Sequence, residues 1–280
     1  MKKIACVIYF YGKAYQELGR CAVNSFKKHH PEVDMFHINE ENSGDYRATE
    51  SLISGAITGG SYKYLLAAEI MIKHKYDKII VLGADTITCA RLDEFVDNDE
   101  DDILIGLDYP YQLIIEGRQI TPPLRDAHVN ADVSCFNSVK PLLETVRIAK
   151  RFGPYAEQGA LNYIIWSGEY DFSYNIVDGP YDTSDVIYNA RAKGNIAAGP
   201  GEKPWGKFTN KFYIKNDKLY SWDNKQIKVW HYCEGLGNVS DQTFIKLMNN
   251  WIFDWFNSET KQFFKEQCDC GDFFEKEFTF

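Results

Sequence analysis

The chain has 280 residues, 45% hydrophobic and 25% charged, which is enough for a full core and far from a disordered or collagen-like composition. Lys and Arg total 31 against 40 Asp and Glu, a net charge of −9, so the overall charge favours neither nucleic acid nor an anionic membrane surface as a partner. Phe, Tyr and Trp make up 15% of the sequence, an aromatic excess that suits stacking on sugar rings or an interface.

Met1-Lys2-Lys3 before Ile4-Ala5-Cys6-Val7-Ile8-Tyr9-Phe10 imitates a signal peptide, but the run is short and β-rich, and Tyr11-Gly12 follows without a small-residue cleavage site. A strand is expected over 3–10 instead. An amphipathic helix follows over 15–28, with Leu18, Ala22, Val23 and Phe26 at helical spacing, then a strand over 33–38. A second helix spans 62–74 through Leu65, Leu66, Ile70 and Met71, and strands follow at 78–82 and 103–107. This alternation predicts βαβ units and an α/β fold with a mostly parallel central sheet flanked by helices. A sheet so covered keeps its ligand crevice beyond the carboxyl ends of its strands, where the chain leaves Phe10, Leu82 and Leu107.

Further along, a strand is expected around 129–136, then helices over 139–151 and 155–165. From 180 to 225 the pattern dissolves into Gly, Pro, Asn, Tyr and Lys, which predicts long loops and an irregular sheet appendage, a frequent place for function. A strand over 227–231 and helices over 241–256 and 259–266 complete the chain. Trp251, Trp255 and Phe256 form an aromatic stripe suited to packing on the body or on a homodimer partner rather than to substrate. With no internal repeat and no Pro/Gly-rich linker, one domain over 1–280 is expected, with its insertion at 180–225 and C-terminal helices within 241–266. No apolar run reaches the roughly 18–20 residues of a membrane span. Seven scattered cysteines, mostly in apolar segments, predict reduced thiols and a cytoplasmic protein. Cys268-Asp269-Cys270 lacks a second Cys or His cluster and is not expected to bind metal.

In Tyr76-Asp77-Lys78-Ile79-Ile80-Val81-Leu82-Gly83-Ala84-Asp85-Thr86-Ile87 a buried strand delivers Asp85 to its carboxyl end, where a hard oxygen ligand can hold a divalent ion against phosphates. A turn or N-cap aspartate would look the same. The acidic run Asp97-Asn98-Asp99-Glu100-Asp101-Asp102 lacks the alternating ligands and glycine of an EF-hand and reads as a solvated loop. The sequence holds no phosphate-loop motif, no Gly-x-Ser-x-Gly elbow and no Gly-x-Gly-x-x-Gly after the first strand, so NTPase, hydrolase and dinucleotide oxidoreductase readings have no anchor.

Further segments extend the pattern. Ser61-Tyr62-Lys63-Tyr64-Leu65-Leu66, Leu82-Gly83-Ala84-Asp85-Thr86-Ile87 and Arg91-Leu92-Asp93-Glu94-Phe95 are followed by Ile105-Gly106-Leu107-Asp108 and His128-Val129-Asn130-Ala131-Asp132-Val133. Then come Glu157-Gln158-Gly159-Ala160-Leu161-Asn162 and Val229-Trp230-His231-Tyr232-Cys233-Glu234-Gly235. In this order, over residues 3–240, the chain resembles the retaining glycosyltransferases of family 8, the glycogenin and lipopolysaccharide galactosyltransferase group.

The resemblance implies a GT-A nucleotide-sugar-binding fold, a UDP-sugar donor, a glycan hydroxyl as acceptor, and Mn²⁺ or Mg²⁺ bridging the diphosphate. By position, Asp85 is the principal metal carboxylate and His231 the second protein ligand, a pair that suits Mn²⁺ better than Mg²⁺. Asp108, Asn130, Asp132, Glu157 and Gln158 match positions around the donor sugar. Gln158 falls nearest the anomeric carbon, where its carbonyl oxygen would stabilise an oxocarbenium-like transition state. Glu157 reads equally as an acid at a helix N-terminus, and Asn130 and Asp132 carry a similar ambiguity. Tyr9 or Tyr11 would stack on the uracil.

The chain also departs from the family. Gly83 replaces the first acid of Asp-x-Asp, and the lysine expected after His231 is missing, leaving Lys203 of Gly201-Glu202-Lys203-Pro204-Trp205 as a stand-in. Tyr64 stands where many relatives have arginine, with Lys63 beside it as the substitute cation. Two alternatives therefore stay open: a non-catalytic nucleotide- or carbohydrate-binding protein on a decayed transferase fold, and an inverting transferase with Asp132 as base. The choice among glucose, galactose and xylose is set by pocket shape and not by motif.

Overall fold

The structure, a computed structural model, describes residues 2–107, 113–115, 118–120, 129–151, 156–177, 184–189, 212–220, 224–231 and 258–268. In chain order its elements begin with β1 (Ile4–Tyr9), α1 (Lys13–His29), β2 (Asp34–Ile38), α2 (Arg47–Ile53), α3 (Gly59–His74), β3 (Lys78–Leu82) and β4 (Thr86–Thr88). There follow α4 (Asp93–Asp97), β5 (Ile103–Leu107), β6 (Leu113–Ile115), β7 (Arg118–Ile120), β8 (Val129–Phe136), α5 (Val139–Ala149), α6 (Ala156–Trp166) and β9 (Tyr174–Ile176). The last are β10 (Ser184–Asn189), β11 (Tyr213–Lys215), β12 (Lys218–Tyr220), β13 (Gln226–His231) and α7 (Ser258–Cys268). They fall into two compact units: Met1–Tyr9, Glu32–Gly83 and Leu92–Pro180 in the first, Phe10–Pro31, Ala84–Arg91 and Tyr181–Phe280 in the second.

The first unit is built on a six-stranded sheet of order β2-β1-β3-β8-β5-β9. Strands β2, β1 and β3 run parallel, as do β5 and β9, whereas β8 is antiparallel to both its neighbours. The sheet is thus mainly parallel, as expected, and helices α3, α5 and α6 pack on it. Central parallel strands are buried on both faces, which is why β3 is an unbroken apolar run after Lys78. The Lys78 side chain is itself fully buried. Its ammonium donates to the carbonyls of Phe95, Val96 and Asn98 at 2.8, 2.8 and 2.7 Å and pairs with Asp99 at 3.2 Å. Those carbonyls lie at the end of α4, where a helix leaves its acceptors without partners. A lysine from the sheet therefore organises the start of the acidic loop, whose Asn98 side chain also accepts from the backbone of Glu100 and Asp101.

Helix α3 starts at Gly59, three residues before the expected 62, because Thr58 caps it by accepting from the Ser61 amide. It ends at Lys75 in the left-handed region, after Lys73, whose charge suits a helix C-terminus. Tyr62, Tyr64, Leu66, Ala67, Ile70 and Met71 are among its buried residues. A register shift on β8 opposite Ile105 and Leu107 sets Asn130, Ala131 and Asp132 out of the regular ladder with β5.

The second unit carries a five-stranded sheet of order β10-β13-β12-β11, with β4 also paired to β13. Its strands β10, β11 and β12 are the described part of the expected 180–225 appendage. Helix α1 packs on β4 and on α7. Phe10 explains the glycine in the middle of α1: a Cβ on Gly19 would stand 2.2 Å from the Phe10 ring. Helix α7 is tied to α1 by Asn24 donating to the Cys268 carbonyl at 3.0 Å, Lys28 donating to the Glu266 carbonyl at 2.9 Å, and His29 bonded to Gln267 at 2.8 Å. The expected helix over 241–256, with Trp251, Trp255 and Phe256, lies outside the described residues. Among the described residues no helix is long and apolar enough to cross a membrane, and Cys6, Cys21, Cys89, Cys135 and Cys268 are buried free thiols.

Candidate functional site

Asp85 and His231 belong to the second unit, and the pairing of β4 with β13 brings them together. The antiparallel register sets Thr88 opposite Val229, Ile87 opposite Trp230 and Thr86 opposite His231, so Asp85, one residue before β4, arrives beside the end of β13. Asp85 Oδ1 lies 3.5 Å from His231 Nε2. The imidazole is buried, and the carboxylate is mostly so. Strand β13 is held in register by Trp230, which meets Phe212 and Phe264 edge-on at centroid distances of 5.4 and 5.5 Å. Alternation along the strand turns the tryptophan to one face and the histidine to the other. A hard carboxylate oxygen and a borderline imidazole nitrogen at this separation fit two neighbouring ligands of one divalent first-row ion.

The first unit gathers a different set, around the irregular stretch of β8 and the starts of α3 and α6. Lys63, buried on α3, forms an ion pair with Asp132. Burial alone would lower the lysine pKa, but Asp132, Tyr64 and Glu157 together more than offset this and hold the ammonium charged. Asp132 also accepts from the Gly83 amide through its backbone carbonyl, at 2.8 Å. Asn130 is buried and uses its side-chain oxygen on the Asp132 amide at 2.7 Å. Gln158 accepts from the Ala131 amide at 3.2 Å through its carbonyl oxygen. Asn162, one turn on, clasps both backbone groups of Val129, accepting at 3.0 Å and donating at 3.1 Å. Tyr64 donates to the Ala131 carbonyl at 2.6 Å and so braces β8.

Glu157 stands in the first turn of α6, as the helix-terminus reading expects, but its carboxyl turns inward. Its Oε2 is buried with no hydrogen-bond partner. Burial pushes its pKa up from the ordinary 4.5, and Lys63 nearby pulls the other way. A Cβ on Gly60 of α3 would stand 2.0 Å from that oxygen. The sequence reading missed Gly60; its only signal there was a Gly59-Gly60 pair at the head of an otherwise good helix.

Tyr9 closes β1 and donates its hydroxyl to the Gly59 carbonyl at 2.9 Å, while its ring meets Tyr62 edge-on at 5.2 Å. Because β1 ends at Tyr9, strand alternation does not extend to Tyr11, which is half-buried in the second unit. Asp108 and Lys203 lie outside the described residues.

No protein-family model and no curated protein sequence matches the chain. Among solved structures, it is similar to a glycosyltransferase involved in the glycosylation of the major capsid of PBCV-1, with a TM-score of 0.51 at 10% identity over 88% of this chain and 98% of that one. It is similar also to the glycosyltransferase GlyE of Streptococcus pneumoniae TIGR4, with a TM-score of 0.50 at 12% identity over 95% of this chain and 63% of that one. The bifunctional glycosyltransferase WbbM matches with a TM-score of 0.48 at 14% identity over 95% of this chain. The chain spans about half the length of WbbM (52%) and under two thirds of GlyE (63%). The fold, a helix-flanked and mainly parallel sheet, is a glycosyltransferase fold of GT-A type.

Proposed function

We propose that this chain is a glycosyltransferase, similar to the family 8 enzymes, that moves a hexosyl or pentosyl group from a UDP-sugar to a glycan hydroxyl with retention of configuration. The observation that carries the reading is the meeting of Asp85 with His231, residues remote in sequence that a three-residue strand brings to 3.5 Å. These two would hold Mn²⁺, or Mg²⁺, which when bound neutralises charge developing on the departing diphosphate. Gln158 faces the anomeric carbon, where the dipole of its side-chain carbonyl stabilises the positive charge that develops there. Glu157, Asn130, Lys63 and Asp108 bind the sugar hydroxyls, Tyr9 or Tyr11 the uracil, and Lys203 a phosphate.

The Lys63–Asp132 ion pair weighs against Asp132 as the base of an inverting enzyme, because a carboxylate bonded to an ammonium is a poorer proton acceptor. Gly83 favours the second reading, a binding module on a decayed transferase fold, since a glycine there offers no side-chain carboxylate to a metal or a ribose. Buried free cysteines support a reducing, cytoplasmic setting. UDP release from UDP-glucose, UDP-galactose and UDP-xylose, with Mn²⁺ or with chelator, tests the proposal. Turnover that requires metal and is lost in Asp85→Asn and His231→Ala is expected. UDP binding without turnover of any donor would instead favour the binding module, and an inverted anomer in the product would reject retention.

A further inference from the structure

Two residues of the first unit run against ordinary helix chemistry, and they meet. Gly60 occupies the first turn of α3, where alanine is the better helix former. Its backbone does not demand glycine: the described glycines with positive φ are Gly12, Gly55 and Gly168. Glu157 in turn buries a carboxyl oxygen without a partner, a placement that penalises its charged form. Each oddity accounts for the other. A Cβ on Gly60 would lie 2.0 Å from Oε2, 2.1 Å from Cδ and 2.3 Å from Oε1 of Glu157, and these are its three nearest atoms. The carboxyl therefore rests on the bare backbone of α3. Lys63 follows Gly60 by three residues on the same helix, hence on the same face, and both it and Asp132 act electrostatically on Glu157.

We propose that Gly60 is a positioning residue: its missing side chain is the seat that aims the Glu157 carboxyl, beside the Lys63–Asp132 pair, at the donor sugar. The seat follows from the geometry alone, while the sugar rests on the transferase reading above. The three atoms nearest an alanine Cβ at 60 all belong to the movable tip of one side chain, so the helix survives and the carboxyl is displaced. Local choices that weaken an element without serving its packing concentrate at functional sites.

Gly60→Ala, Glu157→Gln and Glu157→Asp, singly and as Gly60→Ala doubles with each glutamate variant, test this in the full chain. Gly60→Ala is expected to melt within about 2 °C of the parent, or above it, because helix propensity rises. Its kcat/KM for the UDP-sugar that the parent uses should fall about tenfold or more, chiefly through KM. Glu157→Asp, which withdraws the carboxyl by one methylene, should recover at least about threefold of that loss in the Gly60→Ala background. In melting at pH 7, Glu157→Gln should raise Tm in the parent and not in Gly60→Ala, a coupling readable without any activity. Additive melting shifts, unchanged donor kinetics, or a Gly60→Ala chain melting more than about 5 °C low would each overturn the proposal. Should the parent turn over no UDP-sugar, the transferase reading fails by itself and the melting cycle still decides the seat.

Discussion

Lys78 shows how a single charge can belong to a core. Its ammonium serves three carbonyls that close α4, and losing it leaves at least the buried Phe95 carbonyl without that partner. Lys78→Met should therefore destabilise the chain by about 3 kcal/mol or more, despite filling the same volume, as read from the midpoint of chemical unfolding. Glu157 has the opposite sign. Its pKa is raised in the folded state above the ordinary 4.5, so between those values the folded chain binds more protons than the unfolded one. Stability is then lost as pH rises through that window. Glu157→Gln is expected to raise Tm by about 2–4 °C at pH 7 and to change it little near pH 4. An equal shift at both values would mean that the carboxyl is not held protonated by its surroundings.

At the scale of elements, β13 depends on its aromatic clamp. Trp230 is buried between Phe212 and Phe264, and the same strand presents His231 on its other face. Trp230→Ala should cost about 3–5 kcal/mol, and it should weaken Mn²⁺ binding about tenfold or more although the tryptophan is no ligand. Isothermal titration at a temperature where the variant remains folded checks this. The docking of α7 on α1 carries its own pH dependence. His29 is held below its ordinary 6.5 first by burial and then by Lys28 and Arg91, with the Gln267 bond opposing. A histidine of lowered pKa binds fewer protons folded than unfolded, so its contribution is lost as pH falls below about 6.5. Amide exchange in α7 should quicken between pH 7 and pH 5 after correction for intrinsic rates, and His29→Gln should flatten that dependence.

For the molecule as a whole, metal occupancy is the term that links site to stability. A ligand that binds only the folded chain stabilises it by about 2.7 kcal/mol at a hundredfold excess over its Kd. Mn²⁺ is therefore expected to raise Tm in the parent and to leave Asp85→Ala and His231→Ala unmoved. A shift that persists in both variants would place the ion elsewhere. The strands that carry β-branched runs were legible from the sequence with nearly their full bounds, because burial on both faces demands a continuous apolar string: 78–82 and 103–107 coincide with β3 and β5. Short elements were not. Thr86-Ile87-Thr88 is too brief to signal a strand, and β9 is equally short; only the partner strand makes either of them form.

Asp85, His231, Lys63, Asp132, Glu157 and Gln158 are candidates that the resemblance to family 8 nominates, matched position by position along the chain. Their partners could not be named in that way. Pairing Asp85 with His231 required the register of β4 on β13, and seating Glu157 on Gly60 required the approach of α6 to α3. Periodicity and residue type are local properties, written in a few successive positions and decided by the burial of one face. Which remote residues then share a few ångströms depends on strand register and helix contact, long-range terms that no stretch of sequence carries on its own.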